Sequence, residues 1–125
     1  MVKKTEISEK QLLETIVESI KERKGKSIVI IDLSKLENPI TQYFVICHGT
    51  STTQVEAIAE YVEKQVKDSF SVKVKHIEGK RNAQWILIDL YDVIVHVFLE
   101  DVRRYYNLEQ LWADGEFTYI NDEND

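Results

Sequence analysis

The stretch that decides the fold is Gln84-Trp85-Ile86-Leu87-Ile88-Asp89-Leu90-Tyr91-Asp92-Val93-Ile94-Val95-His96-Val97-Phe98, continued by Leu99-Glu100-Asp101-Val102-Arg103-Arg104-Tyr105-Tyr106-Asn107-Leu108-Glu109-Gln110-Leu111-Trp112. Its first half alternates like two strands around a very short turn. With Leu90-Tyr91 as the turn, Asp89 pairs with Asp92, Ile88 with Val93, Leu87 with Ile94, Ile86 with Val95 and Trp85 with His96. Successive side chains on a strand point to opposite faces. One face therefore carries Ile86, Ile88, Val93, Val95 and Val97, an ordinary β core. The other carries Trp85, Leu87, Asp89, Asp92, Ile94 and His96, which make a poor core and a good contact surface. Like charges opposed across a hairpin cost up to about 1 kcal/mol, so a turn amide or a cationic partner is expected to offset the acid pair. The plainer reading is that both acids sit in water at a turn, which Asp favours.

The second half reads as short helices at about 100–106 and 108–112. Tyr106, Leu108, Leu111 and Trp112 would pack them, while Arg103 or Arg104 pairs with a sheet-end acid such as Asp89 or Asp92. The run Arg103-Arg104-Tyr105-Tyr106 could also touch a nucleic-acid backbone, but two arginines are few for tight phosphate binding.

Working outward, Leu12, Leu13, Ile16, Val17 and Ile20 recur at helical spacing. Ser8 with Gln11 has capping-box spacing, and Gly25 is the expected stop. Ser27 to Leu33 and Tyr43 to His48 are apolar, β-rich runs, separated by a connector holding the single proline, Pro39. Gly49-Thr50-Ser51 leads into a helix whose buried stripe is Val55, Ile58, Ala59, Val62 and Val66. Val72 to Ile77 reads as a further strand, and Glu78-Gly79-Lys80-Arg81-Asn82 as the loop before the hairpin. The order α, β, β, α, β, β, β, α predicts an α+β domain: one mixed sheet with helices packed on it. From Ala113 the composition is polar and acidic, which predicts a loose tail in which Phe117 and Tyr119 are docking candidates.

A chain of 125 residues, 43% hydrophobic, is expected to fold as one domain. Its radius of gyration would be roughly 14 Å, large enough to act as a wedge against another surface and small for enclosing a large substrate. The net charge of −6 falls to −1 once Asp114, Glu116, Asp122, Glu123 and Asp125 are set aside. Free nucleic acid is therefore not expected as primary ligand, because phosphate binding needs a basic footprint. Cys47 is the single cysteine, which excludes an internal disulfide, and no run of about twenty apolar residues suggests a membrane span. Lys3 and Lys4 mix with Glu6, Glu9 and Glu14, which fits neither a transit peptide nor a signal peptide. A cytoplasmic protein is expected.

Catalysis finds little support. The Gly49–Gln54 turn, between a strand and a helix N-terminus, could cradle a phosphate. Nucleotidyl transfer also needs metal-binding acids close together, and no Asp-x-Asp follows that turn. A capped helix start explains the motif more simply. Cys47 and His48 are adjacent on a strand and point apart, and no Cys-x-x-Cys or His-x-x-x-His occurs, so no metal or other cofactor is expected. A Cys47, His96, Asp89 triad has no local signature, and Cys47 is expected as a small buried hydrophobe.

The hairpin with its Leu108-Glu109-Gln110-Leu111-Trp112 close resembles the ribosomal silencing factor family, also called Iojap-like proteins. Further matches are Tyr43-Phe44-Val45-Ile46-Cys47-His48-Gly49-Thr50-Ser51, Gln54, Ala57-Ile58-Ala59, and Glu78-Gly79 ahead of Ala83 and Trp85. The likeness covers about residues 9–112 of a single domain at 1–112, with the acidic stretch 113–125 beyond it. The family's turn is Asp-x-Gly-Asp; here Tyr91 replaces the glycine, so another turn type or some strain is expected. The resemblance implies a nucleotidyltransferase-like fold without catalytic acids. It also implies binding to the large ribosomal subunit through its universal ribosomal protein number fourteen. Such binding would hinder joining of the small subunit and damp translation when nutrients fail, by steric means and with no cofactor. On that reading Trp85, Leu87 and Ile94 are anchors, Glu78, Asp89 and Asp92 face basic groups, His96 braces Trp85, and Arg103 and Arg104 belong to the same surface. The alternative is a nucleotide-binding or nucleotidyl-transferring enzyme using Gly49–Gln54, and an exposed hairpin face could equally join two copies of the chain.

Overall fold

The computed structural model describes residues 8–70 and 72–121. The charges at Lys3, Lys4 and Glu6, and the tail acids Asp122, Glu123 and Asp125, lie outside the described residues. Helix α1 (Glu9–Glu22) starts because the Ser8 hydroxyl accepts the amides of Lys10 and Gln11 at 3.1 and 3.4 Å. Its end differs from expectation. Lys24, not Gly25, takes the left-handed conformation (φ 66°), and the Gly25 amide reaches back to the Ile20 carbonyl at 2.9 Å. Gly25 is required for space, since a Cβ there would lie 2.3 Å from Ile20 Cγ2.

Strands β1 (Lys26–Asp32) and β2 (Tyr43–Gly49) follow, then helix α2 (Thr52–Phe70), which buries the expected stripe Val55, Ile58, Ala59, Val62 and Val66. The next strand is shorter than expected: only His76–Glu78 forms β3, while Val72 and Val74 pack against the core without strand pairing. Strands β4 (Trp85–Asp89) and β5 (Val93–Leu99) form the hairpin, and α3 (Glu100–Tyr106) and α4 (Leu108–Leu111) follow it. The stretch expected to be a loose tail contains β6 (Glu116–Tyr119), paired antiparallel to β1. Phe117 and Ile120 supply the reason, packing on opposite faces of the sheet while the acids stay wet.

The six strands run β3-β4-β5-β2-β1-β6, with β2 and β5 parallel and every other pair antiparallel. One face carries Val45, Cys47, Ile86, Ile88, Leu90, Val93, Val95 and Val97 and is covered by α1 and α2. The opposite face carries Val29, Ile31, Phe44, Ile46, Ile94 and Phe98, over which Leu108 and Trp112 fold back. No helix among the described residues is long and apolar enough to cross a membrane.

Candidate partner-binding face

The hairpin turn is where sequence and structure part. Leu90 donates to the Val93 carbonyl at 2.8 Å, so the turn is Tyr91-Asp92 and the pairing is two residues away from the expected register. Trp85 lies opposite Phe98, Leu87 opposite His96 and Asp89 opposite Ile94. Tyr91 adopts φ 76°, and the Asp92 amide bonds back to the Leu90 carbonyl at 3.0 Å, which gives a γ-turn pattern. The Asp89 carboxylate steadies it by accepting the Tyr91 amide at 2.9 Å. Burying Leu90 with Ile88 and Ile86 favours this register over one that leaves Leu90 in the turn. The expected opposed acid pair is absent: Asp89 occupies the strand end and Asp92 the exposed turn, its carbonyl accepting the Gln42 and Tyr43 amides. A shift of two preserves side-chain parity, so the assignment of residues to the two faces stands.

The second face is not an open surface throughout. Toward β2 and β1 it is core, because α3 and α4 return over it and Trp112 meets Phe44 edge-on at 5.5 Å. Toward β4 and β3 it opens. There Trp85, Leu87 and Asp89 are half-buried and Glu78 is exposed, its carboxylate 2.7 Å from His76 Nε2. Ile94 (7% exposed) and His96 (3%), expected on the same surface, lie buried beneath it. Gly79 enables the close approach of this edge: its φ is 89°, and a Cβ would fall 1.9 Å from the Trp85 carbonyl oxygen.

Trp85 is fixed from three sides. Its indole N–H donates to His96 Nδ1 at 3.1 Å, its ring stacks on Phe98 with centroids 4.8 Å apart, and Tyr106 leans on it at 4.9 Å. The brace expected between His96 and Trp85 is thus present. Phe44 meets the imidazole edge-on at 4.6 Å. Burial pushes the His96 pKa down to about 3, keeping the ring neutral and able to accept the indole proton. With Nδ1 accepting, Nε2 is the protonated nitrogen, and it is buried without a hydrogen-bond partner.

Phe44, Phe98 and Tyr106 were not among the expected site residues. Parity along β5 places Phe98 with His96 and would have found it. The contact of Tyr106 depends on how α3 returns, which no local pattern reveals. Tyr106 and Leu111 were expected to pack the last helices, yet Leu111 is 71% and Tyr105 79% exposed, and Tyr106 is also largely outward. Leu108 and Trp112 do the packing.

Neither arginine meets Asp89 or Asp92. Arg103 is buried at the far end of β5, donating to Glu109 Oε2 from Nε and Nη2 at 3.1 and 2.7 Å, with Nη1 2.9 Å from His48 Nδ1. Arg104 pairs with Glu100 and Asp101 on its own helix. The reason is topological: β5 carries the chain away from the turn before α3 begins. Arg103 therefore clamps α3 and α4 to the sheet, beside a cavity of about 550 Å³ lined by His48, Glu100 and Tyr119 among others.

The turn at Gly49–Gln54 is closed on itself. Gln54 Oε1 accepts the Thr50 amide at 2.8 Å, and its Nε2 donates to the Arg23 and Lys24 carbonyls at 3.2 and 3.0 Å. Ser51 caps the helix through the Gln54 amide at 3.1 Å. Two of the amides at this turn, those of Thr50 and Gln54, are therefore taken by side chains, and the glutamine ties the start of α2 to the end of α1. Cys47 and His96 lie on opposite faces of the sheet, so the imagined triad does not assemble. Burial also drives the Cys47 thiol up to about 12, the neutral form. Among the described residues no three His, Cys, Asp or Glu side chains converge to hold a metal ion.

The open part of the sheet in this small α+β protein thus presents a braced, half-exposed tryptophan flanked by acids. The family model described as "Ribosomal silencing factor during starvation" matches residues 6–125, and the chain belongs to that family. It is 41% identical over 109 residues to the ribosomal silencing factor of Halalkalibacterium halodurans, covering 87% of this chain and 92% of that one. The mouse protein named "Mitochondrial assembly of ribosomal large subunit protein 1" is 32% identical over 103 residues, 81% of this chain and 45% of that protein. A crystal structure of a Chromobacterium violaceum protein shares the fold with a TM-score of 0.81 at 34% identity, over 86% of this chain and 88% of that one. The bacterial relative carries the name of a regulator of ribosomes, not of an enzyme.

Proposed function

We propose that this chain represses translation in the cytoplasm by binding the large ribosomal subunit at its universal ribosomal protein number fourteen. Held there, it is a rigid wedge where the small subunit must dock, and it acts when nutrients are short. No bond is made or broken, so neither cofactor nor metal is called for. The observation that carries the reading is Trp85, a large ring kept half-exposed by its bond to His96 and its stack on Phe98. Aromatic anchors held rigid before contact dominate interfaces, because little side-chain freedom remains to be lost. Leu87 extends the apolar centre, while Glu78, Asp89 and Asp92 form an acidic rim suited to a basic protein surface. Membership of the silencing factor family and the name of the mouse relative support the large subunit as partner.

Sedimentation of purified subunits with the protein tests this. Co-sedimentation with large subunits alone, and loss of subunit joining when the protein is added first, are expected. Leu87→Glu should remove both effects while leaving the fold intact. Equal binding to both subunits, or to neither, would refute the reading.

A further inference from the structure

The edge of the sheet formed by β6 is unpaired on its outer side among the described residues. The Ile120 amide donates to the Ile28 carbonyl at 2.9 Å, and Thr118 and Glu116 lie in register with Ile30 and Asp32. Alternation along an antiparallel ladder then directs the N–H and C=O groups of Phe117 and Tyr119 outward. Proteins blunt such an edge with very short strands, charged side chains, Pro or a bulge. This strand, Glu116-Phe117-Thr118-Tyr119, is short and has Glu116 with its Lys35 partner at one end, but it holds no Pro, and its other end is open at Tyr119, which is 73% exposed.

We propose that the β6 edge captures an extended peptide segment of alternating basic and apolar residues, adding it to the sheet as a seventh strand. Side chains explain the pattern. Phe117 and Tyr119 lie together on one face, with ring centroids 5.9 Å apart, and would receive the apolar residues of the incoming strand. Glu116 and Thr118 occupy the other face, so every second residue of the peptide meets a hydroxyl or a carboxylate, the latter in exchange for its exposed ion pair with Lys35 at 3.3 Å. Charge selects the basic class: Asp114 and Glu116 belong to this edge, and the sequence from 113 to 125 has five acids and no Lys or Arg. The same charge disfavours a second copy of the chain, because pairing β6 with itself would oppose two such segments. Main-chain bonds supply affinity in this mode and alternate side chains supply specificity. The inference does not rest on the ribosomal reading, since the isolated chain suffices to test it.

The test uses an eight-residue peptide alternating Lys and Val, followed by fluorescence anisotropy, against the same peptide with Glu in place of Lys. The basic peptide should bind at least tenfold more tightly, and slow amide exchange at Phe117 and Tyr119 by tenfold or more. Methylating the peptide nitrogens at one set of alternate residues should abolish binding, and methylating the other set should not. Tyr119→Pro should weaken binding tenfold while the Ile120 amide stays protected. Should that variant release β6, Glu116→Gln with Asp114→Asn gives the second reading, a severalfold loss that vanishes in high salt. Equal binding of the acidic peptide would overturn the proposal, as would equal tolerance of both methylation patterns. So would protection of the Phe117 and Tyr119 amides that grows with protein concentration alone, which would make a second copy the occupant.

Discussion

The hydrogen bond between Trp85 and His96 should show itself as an energetic coupling between two substitutions. Trp85→Phe retains a ring against Phe98 and Tyr106 but removes the indole N–H, leaving His96 Nδ1 as a buried acceptor with no donor. An orphaned buried polar group costs about 1–3 kcal/mol. His96→Phe removes the acceptor instead, and also removes the unpartnered Nε2 from the interior. The indole of Trp85 is half-exposed and can turn to water, so this second change should cost about 1 kcal/mol or less. With both partners apolar, no buried group is left unpaired. Trp85→Phe should therefore cost about 1–3 kcal/mol in the native background and roughly 1 kcal/mol less when His96 is already Phe. The smaller ring loses the same contact area in both backgrounds, so that loss cancels in the cycle. Urea unfolding of the four proteins, followed by circular dichroism at neutral pH, reads the values directly. Costs that add to within about 0.5 kcal/mol would refute the reasoning, because they would show the two side chains to be energetically independent.

Acid should destabilise the protein through the same histidine. Its pKa is pushed down to about 3 in the fold, so between about pH 6.5 and 3 the unfolded chain binds a proton that the folded chain does not. Stability is then lost as pH falls, by about 1.4 kcal/mol per unit from this group, and His96→Phe should remove about 2 kcal/mol of the loss between pH 6.5 and 5 in denaturant titrations. Gln54→Ala should cost about 1–2 kcal/mol and speed amide exchange at Thr50, since it cuts the tie from α2 to the Arg23 and Lys24 carbonyls. Nucleotide with magnesium should leave the melting temperature of the native protein unchanged; a ligand at a hundred times its Kd would add about 2.7 kcal/mol. Asp92→Lys should weaken large-subunit binding more than Asp92→Asn, chiefly through the association rate. Its stability should stay within about 0.5 kcal/mol of native, because Asp92 is exposed and does not face Asp89.

What was legible in the sequence was parity and periodicity. Helix α2 buries the stripe its spacing predicted, and the hairpin divides its residues between the two faces as expected even though the pairing is displaced. A two-residue displacement is invisible to parity, and its cause is local chemistry. Leu90 gains more by burial beside Ile88 than it would at the tip of a turn, and Tyr91 accepts a positive φ to allow it. The error mattered only for charge. It placed two carboxylates opposite each other that the structure keeps apart.

The rest was hidden because it depends on segments returning from far along the chain. Strand β6 pairs with β1 across more than eighty residues, and its acidic composition masks the two positions, Phe117 and Ile120, that dock it. Trp112 and Leu108 come back over Phe44 and turn half of an expected contact surface into core. The consequence for binding is specific. Ile94 and His96 are buried in the free chain, so on the proposed reading their substitution should act on how Trp85 is held. Leu87 and Trp85 remain at the surface and should act on contact itself. Arg103, expected beside the acids of the turn, instead sets the position of the helices that carry Tyr106 against the indole. Breaking that clamp with Arg103→Leu leaves Glu109 unpaired beside His48, and its first effect should reach the ribosome indirectly, through a Trp85 that has lost one of its three supports.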